Sequence, residues 1–223
     1  MMKLYGVQFK QSQVLTYIFW VNLLICLPLV FEVRFTFGVD YTAYIQQASA
    51  VWNGERDYSK ISSQLGPAYY PAGHLWHYVP AYLLHMHTSF ASQIIKAGHF
   101  VIYSLIIVYS TKIAYLYHSS GINQKEGDIR NPNAQLIGMI LLANFNDKHM
   151  YKEMFNDELM MLYMLIAIYY MLKQRPFLAS FFVTLALSIK AGVILILPAF
   201  LGSIQYNYGT RTLLKSILII FAL

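Results

Sequence analysis

Apolar stretches at 14–31, 71–84, 91–117, 134–145, 159–172, 176–204 and 213–223 follow one another along the chain with short polar connections between most of them, a pattern that leaves few folds open. Several approach the roughly 20 residues that carry a helix across a bilayer, and the shorter runs at 71–84 and 134–145 require tilt, polar extension or re-entry. A mean hydropathy of +0.46 with only 12% charged residues provides too little polar surface to solvate a globule of 25.7 kDa. The chain therefore reads as all-α: a polytopic transmembrane helical bundle of six or seven segments, one membrane domain over 1–223 with the lipid bilayer as its solvent.

A formal charge of +6 suggests nucleic acid at first sight, but Lys and Arg stand singly or in pairs between apolar runs, as flanking charges of membrane helices do, and no clustered basic face results. Nucleic acid is therefore excluded as a partner. The lone Cys26 rules out an intramolecular disulfide and a cysteine-based metal site. The first run exceeds a signal-peptide core and lacks a small-residue cleavage site, so it is expected to remain as a signal-anchor helix. Lys3 and Lys10 precede it, which puts the loop at roughly 33–74 on the luminal side by the positive-inside rule. The mixed charges of the loops around Lys125–Arg130 and Asp147–Glu153 leave the sidedness of Asp157 open. The closing run SILIIFAL lacks a polar flank, which predicts the amino-terminal part of a longer protein.

The polar and aromatic interruption from Phe37 to His74 is the place to seek chemistry. Tyr41, Tyr44, Ile45, Ala48, Val51 and Trp52 recur at helical spacing and Asn53-Gly54 supplies a stop, predicting a short amphipathic helix on the membrane surface. A coil through Gly66-Pro67 to Pro71-Ala72-Gly73 is expected to follow.

Asp40 admits two readings, an N-cap of that helix or a carboxylate at the water–membrane boundary able to deprotonate a sugar hydroxyl. Tyr69, Tyr70 and Trp76 stack on sugars in one reading and form an interfacial aromatic belt in the other. His74 and His77 share a helix face, but no carboxylate completes a metal set, so no metal is expected and hydrogen-bonded histidines are. Asn156 and Asp157, in a Phe-Asn-Asp run repeated from 145–147, either cap the helix that follows or orient polar groups of a lipid-linked substrate. Lys190, midway through the 176–204 run, is either a snorkelling residue at a helix break near Ala191-Gly192 or a cation for a lipid phosphate.

Taken together, these segments resemble a family. VDYTAYIQQ is similar to the D-[WY]-x-A-Y-[MI]-x-Q stretch, and NGERDYSKISSQLGPAYYPAGH to the N-G-x-x-D-Y…G-P-x-x-Y-P-A-G stretch, of the dolichyl-phosphate-mannose-dependent alpha-1,3-mannosyltransferases of the N-glycan precursor pathway. MFND at 154–157 and LSIKAGVILILPAF at 187–200 resemble that family's L-F-N-D and S-V-K-M-N-V-L-L-x-x-P motifs, in the same order. Two departures are Glu153, where the family commonly has Arg, and Ala191-Gly192 in place of Met-Asn. The chain covers about the first half of a typical member.

The resemblance implies a GT-C bundle in the endoplasmic reticulum membrane, multi-pass, with its first loop luminal. It further implies inverting transfer of mannose from dolichyl phosphate mannose, a donor substrate rather than a cofactor, to the five-mannose dolichol-diphosphate oligosaccharide. No cofactor is expected. Asp40 is the expected base. Tyr41, Tyr44, Gln47, Asp57, Tyr58, Tyr69, Tyr70, His74, Asn156, Asp157 and Lys190 are the expected substrate contacts, with Arg56 and Lys60 as loop alternatives to Lys190 as partner of the departing phosphate. The absence of a glycine-rich nucleotide loop fits a lipid-borne donor. Two other readings stay open: a related GT-C mannosyltransferase with another lipid acceptor, and a transporter or non-catalytic membrane subunit.

Overall fold

The computed structural model describes residues 2–4, 7–9, 11–31, 37–119 and 154–222. The apolar run at 134–145, the mixed-charge loops and Glu153 lie outside the described residues. Seven α-helices carry the described fold: α1 Gln11–Phe31, α2 Val39–Trp52, α3 Ala72–His87, α4 Ala91–Ser119, α5 Asn156–Leu172, α6 Pro176–Ile189 and α7 Leu197–Ala222. Two small antiparallel hairpins accompany them, β1 Met2–Leu4 with β2 Val7–Phe9, and β3 Ser62–Ser63 with β4 Gly66–Pro67. The second forms where a coil was expected: Ser63 Oγ donates to Gly66 O at 3.2 Å and Gly66 takes φ +109°, which only glycine adopts readily.

Helix ends follow the sequence signals. Beyond Asn53 at the end of α2, Gly54 takes φ +101°, its N–H reaching Val51 O at 3.1 Å and that of Glu55 reaching Ala50 O at 3.0 Å, the paired bonds of a Schellman stop. The α5–α6 turn repeats the motif with Gln174 at φ +56°, and Pro176 starts α6 where its missing N–H leaves no bond unmade.

α1 packs on α4, α4 on α5, α5 on α6, α6 on α7, and α2 on α3. Ile18, Cys26 and Val30 of α1 meet Phe100, Tyr103 and Ile107 of α4, whereas Ala167, Val183, Ala186 and Ile220 join α5, α6 and α7. Two stretches, Ala91–Leu116 and Ala191–Ala222, are long and apolar enough to cross a bilayer, and Leu15–Phe31 and Pro176–Ile189 are shorter apolar helices. The runs expected at 176–204 and from 213 onward divide differently: the chain breaks at Lys190 and continues as a 3-10 turn over Ala191–Ile196 into α7, which is interrupted at Gly209. On α1 the exposed Tyr17, Trp20, Leu24, Leu27 and Phe31 present an apolar and aromatic face of the kind that meets lipid.

A buried polar contact crosses the α1–α4 interface. Asn22 Nδ2 donates to Ser104 Oγ at 2.8 Å with both residues fully buried, and Ser104 Oγ donates to Phe100 O at 2.8 Å. Interhelical hydrogen bonds in a bundle of this kind are worth about 0.6–2 kcal/mol. Ser104→Ala is expected to lower stability by about that amount in thermal unfolding, and adding Asn22→Leu to recover part of it by removing the stranded amide. A parental melting point for the single variant would show that the contact is idle.

Candidate functional site

The ends of four helices gather on one side of the bundle. At Gly73 in the first turn of α3, an added Cβ would lie 2.4 Å from Ser188 Cβ and 2.9 Å from Ser188 O, so the glycine lets α3 touch the last turn of α6. One residue on, His74 is fully buried, and its Nδ1 accepts a hydrogen bond from Asn156 Nδ2 at 3.2 Å, which ties α3 to the first turn of α5. That bond leaves the proton of His74 on Nε2, where the buried N–H has no partner among the described residues. His77 adds a second tie: its Nδ1–H donates to Gly73 O at 2.6 Å, and its Nε2 accepts from Tyr163 OH of α5 at 3.2 Å.

A box of tyrosines surrounds His74. Its ring centroid lies 4.5 Å from that of Tyr70, 4.6 Å from Tyr44 and 4.9 Å from Tyr78. Tyr44 OH donates to Tyr70 OH at 3.5 Å, and burial first, then that bond and the neighbouring Tyr70, Tyr78 and Asp40, push the Tyr44 phenol up. Tyr41 is buried alongside, its hydroxyl 3.0 Å from His85 Nε2 and its ring stacked on Phe37. Tyr78 OH donates to Met154 O at 3.3 Å. Met154 is buried with φ +48°, an unfavourable conformation for a side-chain-bearing residue that costs about 1–2 kcal/mol and turns the chain abruptly into α5.

The charged groups lie at the open edge of this box. Asp40 sits in the first turn of α2, half-buried, with no hydrogen-bond or ion-pair partner among the described residues. It is not the N-cap: Gly38 occupies that position, so the capping reading of Asp40 falls. Asn156 and Asp157 do not cap α5 either, because Phe155 precedes it and no side chain caps that end. Lys190 follows directly on α6 in extended conformation, with φ −142° and ψ 118°, and its Nζ pairs with Asp157 Oδ1. Each charge suits its helix end, an acid at an N-terminus and a base at a C-terminus. Glu158, unremarked in the sequence, lies next to Asp157 with Oε2 buried and unpartnered among the described residues.

Tyr44, Tyr70, His74, Asn156, Asp157 and Lys190 are thus gathered by contact, Tyr41 flanks them, and Asp40 stands near Tyr44. Of the remaining expected residues, Gln47 and Asp57 hold the loop instead. Gln47 Nε2 donates to Ser63 Oγ at 3.3 Å, and Asp57 Oδ1 accepts from Ser59 N at 3.1 Å and Ser59 Oγ at 2.7 Å, turning the chain at the short 3-10 element Tyr58–Lys60. Those bonds and Lys60, 3.3 Å away, keep the exposed Asp57 carboxyl below the usual range, so its support of the turn is present above that range and fades as pH falls through the lowered value. Tyr58 and Tyr69 are exposed, and neither side chain makes a hydrogen bond among the described residues. Arg56 Nη1 donates to Val51 O at 2.6 Å and its guanidinium lies 5.5 Å over Trp76, which engages it at the end of α2. Tyr78 and Glu158 are the members the sequence did not single out; Tyr78 falls one turn after His74, and that spacing was the available signal. Among the described residues no three His, Cys, Asp or Glu side chains gather to hold a metal ion.

Comparison with known proteins adds a family. The family model described as ALG3 protein matches residues 16–223. A protein of Dictyostelium discoideum named probable Dol-P-Man:Man(5)GlcNAc(2)-PP-Dol alpha-1,3-mannosyltransferase is 28% identical over 79% of this chain and 44% of its own length. Those of Neurospora crassa and Kluyveromyces lactis with that name, without "probable", are 26% and 30% identical over 83% and 74% of this chain and 40% and 35% of theirs. The chain therefore spans less than half the length of these relatives. No solved structure matches.

Proposed function

The chain belongs to the ALG3 protein family, and from that footing we propose that it works in the reaction its relatives are named for, mannose transfer from dolichyl phosphate mannose to the dolichol-diphosphate-linked five-mannose oligosaccharide with alpha-1,3 linkage. The observation that carries the reading is the convergence of motif segments distant in sequence, around Asp40, His74, Asn156 and Lys190, at one end of the bundle. In this reading the protein is a multi-pass GT-C enzyme of the endoplasmic reticulum membrane. The 33–74 loop is luminal, and Asp157 shares its side, since Asn156 touches His74 at the loop's end.

The chemistry follows from the charges. Asp40 takes the proton of the acceptor hydroxyl as its oxygen attacks the anomeric carbon, and the bond from that carbon to the phosphate oxygen breaks on the opposite face, inverting the centre. Dolichyl phosphate leaves with the bonding electrons and needs no general acid, only a positive neighbour for the charge it carries away. Lys190 is that neighbour; Arg56 is engaged at the end of α2, and Lys60 with Asp57. Tyr70, the half-exposed member of the tyrosine box around His74, offers an aromatic face and a hydroxyl to the sugar and its carrier.

Microsomes lacking their own enzyme, supplied with dolichyl phosphate mannose and the five-mannose lipid, are expected to form the six-mannose lipid when the chain is present. A stably inserted chain that forms none would sink the reading for this chain. A mannose delivered to a different lipid would move it to another acceptor.

A further inference from the structure

The pairing of Lys190 with Asp157 presents a difficulty that the mechanism leaves unresolved: the ammonium assigned to the phosphate already has an anion. The two side chains are 35% and 50% exposed, so the pair borders open space and adds little to the stability of the fold. Its supports are firm, however. Asp157 follows the buried Asn156 that is bonded to His74, and Lys190 lies two residues beyond Ser188, which is pressed against Gly73. Glu158 brings a second carboxylate beside the first, with Oε2 buried and unpartnered among the described residues. Asp157 already balances the charge of Lys190, so an arriving phosphate has to displace that carboxylate to reach Nζ.

We propose that Asp157 is a placeholder for the lipid phosphate. It holds the Lys190 ammonium where a phosphate oxygen will lie, yields it when the donor binds, and takes it back as dolichyl phosphate departs. Asp157 is then a positioning residue that speeds product release and makes no contact with the sugar. The inference rests on the reading of Lys190 as the phosphate partner, and the test separates the two.

The probe is a short-chain prenyl phosphate, with the matching prenyl alcohol as control, titrated onto the purified chain in nanodiscs. Asp157→Asn is expected to bind the phosphate about fivefold more tightly than the parent, the upper end of what a half-exposed ion pair withholds. Lys190→Gln is expected to bind it no better than the alcohol. In the parent, saturating prenyl phosphate is expected to raise carbodiimide labelling of Asp157, read by mass spectrometry, while the alcohol leaves it unchanged; this arm needs no variant to fold. Weaker or equal binding by Asp157→Asn, or unchanged labelling, overturns the placeholder while Lys190-dependent binding preserves the phosphate reading. A parent that binds phosphate and alcohol alike overturns both.

Discussion

Asp40→Asn is expected to lower the rate of mannose transfer at saturating donor and acceptor by about 10²–10⁴-fold, the range that a positioned general base contributes. The substitution keeps the size and shape of the side chain and removes its charge and its capacity to take a proton. Little else should change, because Gly38 and not Asp40 caps α2, and the carboxylate has no hydrogen-bond or ion-pair partner among the described residues. Its remaining structural role is a favourable charge in the first turn, worth about 0.3–1 kcal/mol. The melting temperature and the KM for dolichyl phosphate mannose are therefore expected to stay near parental values while kcat collapses. A kcat within about fivefold of the parent would move the base elsewhere, and Glu158, buried with one oxygen unpartnered, is the next carboxylate in the cluster. A collapse of stability together with kcat would instead return Asp40 to a structural role.

The parts of this arrangement legible in the sequence are those with local causes. Apolar periodicity places α2, and Asn53-Gly54 ends it where a φ of +101° and two backbone bonds favour a glycine. The Phe-Asn-Asp run at 155–157 heads a helix, and the break after Lys190 falls where the apolar run contains glycine. What sequence does not carry is which of several polar residues meet. Asp57, Arg56 and Lys60 stand in the same motif segment as Tyr70 and His74, yet Asp57 and Lys60 bond within their own loop and Arg56 to the end of α2, because an exposed turn satisfies them at short range. Lys190 and Asp157 lie 33 positions apart, and their pairing depends on how α5 and α6 pack, which no local pattern encodes. The same holds for the roles of Asn156 and Asp157: both types favour N-caps, but the buried approach of His74 outweighs that preference for Asn156, and Lys190 does so for Asp157. Even the β3–β4 hairpin, hidden in a segment that reads as coil, arises from contact with Gln46 and Gln47 of α2 rather than from strand propensity.

Gly73→Ala is expected to destabilise the protein by about 2 kcal/mol and to reduce transfer more than that loss of stability explains. Carbon atoms in contact settle about 3.5–4.0 Å apart, whereas the added methyl would sit 2.4 Å from Ser188 Cβ and 2.9 Å from Ser188 O. Turning the Ser188 hydroxyl aside relieves neither contact, since one involves the β-carbon and the other the backbone. The two helices must therefore separate by roughly 1 Å, a displacement set by that van der Waals distance. Alanine's better helix propensity, worth about 1 kcal/mol in a helix interior, offsets part of the penalty and none of the displacement. The displacement lands on the site, because Ser188 lies two residues before Lys190 and Gly73 one before His74, so separating them shifts the ammonium relative to Asp157 and strains the His74–Asn156 bond. Ser188→Gly in the same chain removes the closer contact and leaves the carbonyl, so it is expected to restore activity in part, despite its own helix penalty of about 0.5–1 kcal/mol. Thermal unfolding paired with transfer assays on the two single variants and the double variant reads both effects. Parental stability in Gly73→Ala would mean that α3 and α6 yield freely at this point, and that the Y-P-A-G glycine serves the turn before α3 rather than the junction with α6.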